Sequence, residues 1–323
     1  MKIRKLWLSA AIAFSAAVMA QEKAAKIAYS QIIAHPALDE IYAGMVQGLQ
    51  EHGYVVGKNL NIDYQIAQGD MAINNQIAQK FVGDKPDVIV ASTTPSAQAV
   101  IAAAKGRLPI VFTGITDPIS AKLVDNLEKP GGNVTGVKEA LAYEQNVAIL
   151  HSLLPEAKHI GTVFNPGEDN SNASNAMLEK TMQPRGLTLV SAPAKNTGEV
   201  LDAARSLVGK VDAFLITLDN TAVSGLPSLV QVAEQHKLPL FVFDTYSVPI
   251  GAAVGVGYDE FDVGRLTADK VAAILQGAKA GDLPVAEVEK SRIVLNPAAA
   301  ARQGLTLPQN LLDQASEIVE EKK

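Results

Sequence analysis

Short runs of β-branched and aliphatic residues alternate with longer amphipathic stretches along nearly the whole chain, and few folds accommodate that alternation. It is the pattern of parallel sheets whose strands are joined by helical crossovers. The runs predict strands at 26–33, 59–66, 88–91, 110–113, 160–164, 188–191, 213–217, 240–243 and 252–256, with helices between most of them. The first helix, at 38–52, sets Leu38, Ile41, Tyr42, Met45, Val46 and Leu49 at helical spacing and stops at Gly53. The pattern is also doubled. Asp87-Val-Ile-Val-Ala-Ser-Thr-Thr-Pro is matched by Asp212-Ala-Phe-Leu-Ile-Thr-Leu-Asp-Asn, and Leu108-Pro-Ile-Val-Phe-Thr by Leu238-Pro-Leu-Phe-Val-Phe. Gly53 and Gly186, each between a helix and a strand, form a third pair in the same order.

Two similar α/β lobes follow, and 323 residues are more than one compact core usually holds. The turn-rich stretch 129–136, with three glycines and a proline, is the expected hinge. The first lobe is expected at 26–137 with about 258–278, and the second at 138–257 with about 279–323.

The first 20 residues stand apart from this pattern. Lys2, Arg4 and Lys5 precede an apolar run at 6–20 that ends in Val18-Met19-Ala20, the layout of a secretory leader cleaved after Ala20. The run is shorter than the ~20 residues of a membrane span. The chain has no cysteine, so neither a disulfide framework nor a cysteine-linked lipid anchor is expected, and the expected compartment is a bacterial periplasm. A formal charge of −6 without a basic tract argues against nucleic acid as a partner.

Enzyme signatures are missing: there is no G-x-S-x-G, H-E-x-x-H, C-x-x-C or Walker loop, and the five histidines are scattered. No metal or cofactor is expected. What remains is a set of small polar loops at the C-terminal ends of predicted strands, where open α/β sheets bind ligands. In Ala91-Ser-Thr-Thr-Pro-Ser-Ala-Gln, Thr94 serves as the helix cap and Pro95 as its first residue. The N–H groups of Ser96 and Ala97 are then free to meet a ligand carboxylate, unless the loop is only a well-capped helix start. Thr116 precedes a second, Asp117-capped turn and can face the cleft. Asn165, Asn170 and Ser171 open a helix in the second lobe and offer another carboxylate clamp or an ordinary polar turn. Asp219 and Asp244 follow adjacent strands and form an acidic corner suited to an ammonium group. An anion site on one lobe and an acidic corner on the other suggest a zwitterion, that is, an amino acid.

The strings HPALDE from His35, DKPDVIVASTTPSAQAV from Asp84, LPIVFTGITDPISAKLV from Leu108, PGGNVTGV from Pro130, NPGEDNS from Asn165 and VDAFLITLDN from Val211 together resemble one family. It is the ABC transporter substrate-binding proteins of the tryptophan/tyrosine type. The resemblance implies a type I periplasmic-binding fold, with two Rossmann-like lobes that close like a Venus flytrap on one small molecule, an aromatic amino acid where members are understood. It implies Thr94, Ser96, Ala97, Asn170 and Ser171 as carboxylate contacts, Asp219 and Asp244 as ammonium contacts, and Ile33, Ala34 and His35 at the cleft edge. Thr116, Phe164, Tyr246 and Tyr258 are candidates for the side-chain pocket.

The expected protein is a monomeric, non-enzymatic receptor that docks on an inner-membrane ABC permease. Three alternatives share the pattern: a ligand-sensing subunit, separable by its genomic neighbours; a sugar or aliphatic amino-acid receptor; and a hydrolase using Asp219 and Asp244. The sugar reading is weakened by the scarcity of aromatics, and the hydrolase by the lack of a nucleophile or metal ligand set.

Overall fold

A computed structural model describes residues 24–139, 141–288 and 290–320. The expected leader at 1–20 lies outside the described residues. The chain first lays down β1 (Ala25–Gln31), β2 (Leu60–Ile66), β3 (Val88–Ser92), β4 (Ile110–Ile115) and β5 (Val134–Glu139). It then builds β6 (His159–Phe164), β7 (Thr188–Pro193), β8 (Ala213–Ile216), β9 (Leu240–Val242) and β10 (Val254–Tyr258). It returns for β11 (Ala286–Val288) and ends in β12 (Ser291–Leu295) and β13 (Glu317–Ile318). The helices that matter here are α1 (Pro36–Glu51), α2 (Met71–Asp84), α3 (Thr94–Ala104), α4 (Tyr143–Leu153), α5 (Asp169–Met182), α6 (Val200–Leu207), α7 (Asn220–Ser224), α8 (Leu226–His236) and α9 (Glu260–Leu275).

Two sheets result: a six-stranded one in the order β2-β1-β3-β4-β5-β11, and a seven-stranded one in the order β7-β6-β8-β9-β10-β12-β13. All pairings are parallel except β10 with β12. Strands buried on both faces explain the continuous apolar runs. In β3, Ile89 and Ala91 enter one core while Val88 and Val90 enter the core on the opposite face. In the second sheet Phe214 and Ile216 face one core, and Ala213 and Leu215 the other. This is a two-lobed α/β fold with parallel-dominated sheets.

The path between lobes corrects the expected boundaries. Stretch 129–136 is not the hinge. Gly131 and Gly132, at φ of 74° and 60°, make the turn into β5, which pairs with β4 inside the first sheet. Gly136 read as part of a turn, yet it is a strand position where a Cβ would lie 2.2 Å from the Phe112 carbonyl oxygen. The sheets are instead exchanged after Glu139, after Tyr258 and after Val288. Residues 286–288 therefore belong with the first sheet, because β11 pairs with β5.

Helix α9 crosses to the first lobe and packs on α1 so closely that glycine is required on both partners. A Cβ on Gly264 would stand 2.1 Å from the Ile41 carbonyl oxygen, and one on Gly44 2.1 Å from that of Phe261. Gly264→Ala is expected to destabilise the protein by about 2 kcal/mol in a denaturant melt, although alanine is the better helix former. A gain in stability would contradict the close crossing.

Candidate ligand-binding cleft

The C-terminal ends of the strands of both sheets face each other across a cavity. Ile33, His35, Thr94 and Thr116 line it from the first lobe, and Asn170, Asp219 and Asp244 from the second. Ser96, Ala97, Asn165 and Ser171 are not among its lining residues, nor are Phe164, Tyr246 and Tyr258.

The α3 loop explains part of this difference. Thr93, not Thr94, occupies the cap position, at φ 76° and ψ 156°, and no side chain caps the helix. A left-handed φ is costly for a β-branched residue. Here it sets Thr93 and Thr94 against the cavity, and the Thr93 hydroxyl is buried without a partner. The Ala97 N–H is not free, since it donates to the Thr93 carbonyl at 3.0 Å. Ser96 turns away and its hydroxyl donates to Asn74 Oδ1 at 3.3 Å. Asp117 caps its own turn, accepting from Ile119 N and Ser120 N.

In the second lobe Asp219 is wholly engaged by its own protein. Its Oδ2 accepts from Asn165 N and Ser171 Oγ, both at 2.6 Å, and its Oδ1 accepts from Ala222 N at 2.7 Å, capping α7. Ser171 and Asn165 are thus supports of Asp219, and the Asn165 side chain also donates to Thr221 Oγ1 at 2.9 Å. A carboxylate holding three donors is a poor ammonium site. Asp244 differs in that both its bonds, to Ser247 N and Ser247 Oγ at 2.7 Å each, come from one residue.

Two acidic residues that carry no signal in the sequence complete the cavity wall. Glu139 ends β5 and Glu260 begins α9, at two of the crossings between lobes. Both are buried, both line the cavity, and in each the Oε2 atom is buried without a hydrogen-bond partner. Burial, reinforced by the Asp244 charge, pushes the Glu139 carboxyl up to about 7. Glu260 is held well above the ordinary carboxylate range by burial and by the charges of Asp244 and Glu139. Among the described residues, no lysine or arginine lines the cavity to neutralise the three.

The cavity is also lined by Ala37, Leu38 and Ile41 of α1 together with Ile33, Leu218 and Val223, apolar side chains without an aromatic ring among them. Gln98 of α3 donates to Asp169 Oδ2 of α5 at 2.7 Å, a side-chain bond from one lobe to the other. Among the described residues no helix is long and apolar enough to cross a membrane, and no group of three or more acidic, histidine or cysteine side chains is arranged to hold a metal ion.

Comparison with known proteins agrees with this architecture. A tyrosine-binding protein of Clostridioides difficile is 38% identical over 275 residues, covering 85% of this chain and 79% of that protein. A conserved domain protein of Vibrio cholerae has a crystal structure that superposes with a TM-score of 0.90 at 42% identity, covering 92% of this chain and 100% of that one. An ABC domain from Streptococcus pneumoniae, solved in complex with L-tryptophan, superposes with a TM-score of 0.88 at 34% identity and the same coverages. The family model described as ABC transporter substrate binding protein matches residues 26–319, and with that match over nearly all of the described fold, the chain belongs to the ABC transporter substrate-binding proteins.

Proposed function

We propose that this protein is the extracytoplasmic receptor of an ABC importer and that it binds an aromatic amino acid between its lobes. The observation that carries the reading is a cavity lined by four buried carboxylates, of which Glu139, Asp244 and Glu260 are not taken up as Asp219 is, with aliphatic side chains and no lysine or arginine among its described lining residues. Such a cluster is stable in its ionised form only when a cation meets it, and an α-ammonium group is a cation of the right size. The ammonium sits among Glu139, Asp244 and Glu260. The α-carboxylate takes the donor-rich end at Thr93 and Thr94, where the start of α3 adds a favourable dipole. The side chain lies against Ile33, Leu38, Ile41, Leu218 and Val223. Similarity to a tyrosine-binding protein and to a domain holding L-tryptophan supports an aromatic side chain.

Ligand contacts with both lobes favour the closed arrangement, and the closed receptor delivers its cargo to a membrane permease. Positively charged and apolar residues at 2–20 act as the leader that sends the chain to the periplasm, and the protein performs no chemistry on its cargo. The test uses the chain without its leader. Trp7 is the only tryptophan, so residues 21–323 have no indole emission of their own. Titration with L-tryptophan is expected to give a saturable, blue-shifted signal, and L-tyrosine and L-phenylalanine are expected to raise the melting temperature. Stabilisation by sugars alone would overturn the reading.

A further inference from the structure

His35 is the N-cap of α1, and its Nδ1 accepts a hydrogen bond from the Ala37 N–H at 3.3 Å. An imidazole nitrogen that accepts cannot carry the proton, so the ring is neutral and its hydrogen resides on Nε2. That atom is buried without a partner, on a side chain that lines the cavity and is 7% exposed. The charged neighbours of the ring are Asp244 from the facing lobe and Asp39 from its own helix. Burial is the stronger influence and holds the ring below the usual histidine range, which agrees with the neutral form.

The cavity therefore presents an orphaned donor in surroundings rich in acceptors. Asn170 Oδ1, Glu139 Oε2 and Glu260 Oε2 are unpartnered acceptors, whereas His35 Nε2–H and the Thr93 hydroxyl are unpartnered donors. An ammonium group satisfies the former and has nothing to offer the latter. The α-carboxylate supplies acceptors for them. We infer that His35 reads the ligand's carboxylate through Nε2–H, in a tautomer fixed by its capping bond, and so discriminates an amino acid from the amine left by its decarboxylation. The inference rests on the amino-acid reading above.

The test compares L-tyrosine with tyramine by calorimetry on the unmodified protein and two variants. The unmodified protein is expected to prefer L-tyrosine by at least about tenfold, as a charge-assisted hydrogen bond implies. His35→Asn keeps a short acceptor for the Ala37 N–H, so α1 stays capped and the melting temperature holds, but it removes the Nε2–H donor. It is expected to shrink the preference by about tenfold through weaker tyrosine binding, with tyramine little changed. His35→Gln, whose amide reaches the Nε2 position, is expected to restore much of the preference. Nitrogen NMR of the unmodified protein is expected to show the Nε2-protonated tautomer. An undiminished preference in His35→Asn, or the opposite tautomer, would overturn the inference alone. Absence of aromatic amino-acid binding to the unmodified protein would overturn the functional reading and the inference together.

Discussion

Glu260→Gln is expected to raise the melting temperature of the ligand-free protein and to lower its affinity for the amino acid about a hundredfold. The two effects have one origin. Glu260 is buried, its Oε2 lacks a partner, and Asp244 and Glu139 repel it, so the empty site holds a carboxyl group whose ionised form is strongly disfavoured. The amide is nearly isosteric and uncharged, so it relieves the repulsion in the empty protein. In the complex the ammonium loses one of three carboxylates in a site sheltered from water, a loss of about 3 kcal/mol. Glu139→Gln is expected to act in the same two directions. Asp219→Asn supplies the contrast. With three donors turned toward that carboxylate, the substitution is expected to lower stability before it touches binding. Thermal melts and calorimetry on the three variants separate the cases. A Glu260→Gln protein that melts lower and binds as before would remove Glu260 from the site.

Contrasts between residues such as Asp219 and Glu260 also explain what could be seen in the sequence. Strands such as β3 were legible because burial on both faces makes a continuous apolar run, and Asp244 was legible because it follows such a run immediately. Asp219 was found by the same rule, but its hydrogen bonds come from Asn165 and Ser171, about fifty positions earlier in the chain, and only the fold brings them together. Glu139 and Glu260 gave no signal. Glu139 follows glycine-rich turns, whereas Glu260 is indistinguishable from an ordinary acidic residue in the first turn of a helix, where the macrodipole favours it. They acquire their role because two chain crossings converge on one cavity. The three residues of β11 are too short a run to read, and that placed the third boundary between lobes too early. The helix start at Thr93 was displaced by one residue because nothing local announces a threonine at positive φ. Such conformations persist where surrounding structure imposes them, and Thr93 stands beside the cavity.

The same carboxylates make binding and stability depend on pH in opposite senses. Glu139 in the folded, ligand-free protein is raised to about 7 from an ordinary value of 4.5, chiefly by burial and then by Asp244. A raised carboxyl means that the folded state holds a proton that the unfolded state has released. Its stabilisation is therefore complete below about pH 4.5 and is lost as the pH rises through about 7, a change of about 3 kcal/mol for this group. Glu260 adds in the same direction, and His35, held below its usual range, opposes them in acid. The ligand-free protein is thus expected to melt several degrees higher near about pH 5 than near about pH 8. An ammonium ligand reverses the preference, because it stabilises the ionised carboxylates and expels their protons on binding. Affinity is therefore expected to rise from about pH 5 to about pH 7.5, and calorimetry in buffers of different ionisation enthalpy is expected to detect proton release near neutrality. Glu139→Gln should flatten both profiles. A receptor whose affinity stayed level across that range, with no proton exchanged, would have its ammonium somewhere other than among these three carboxylates.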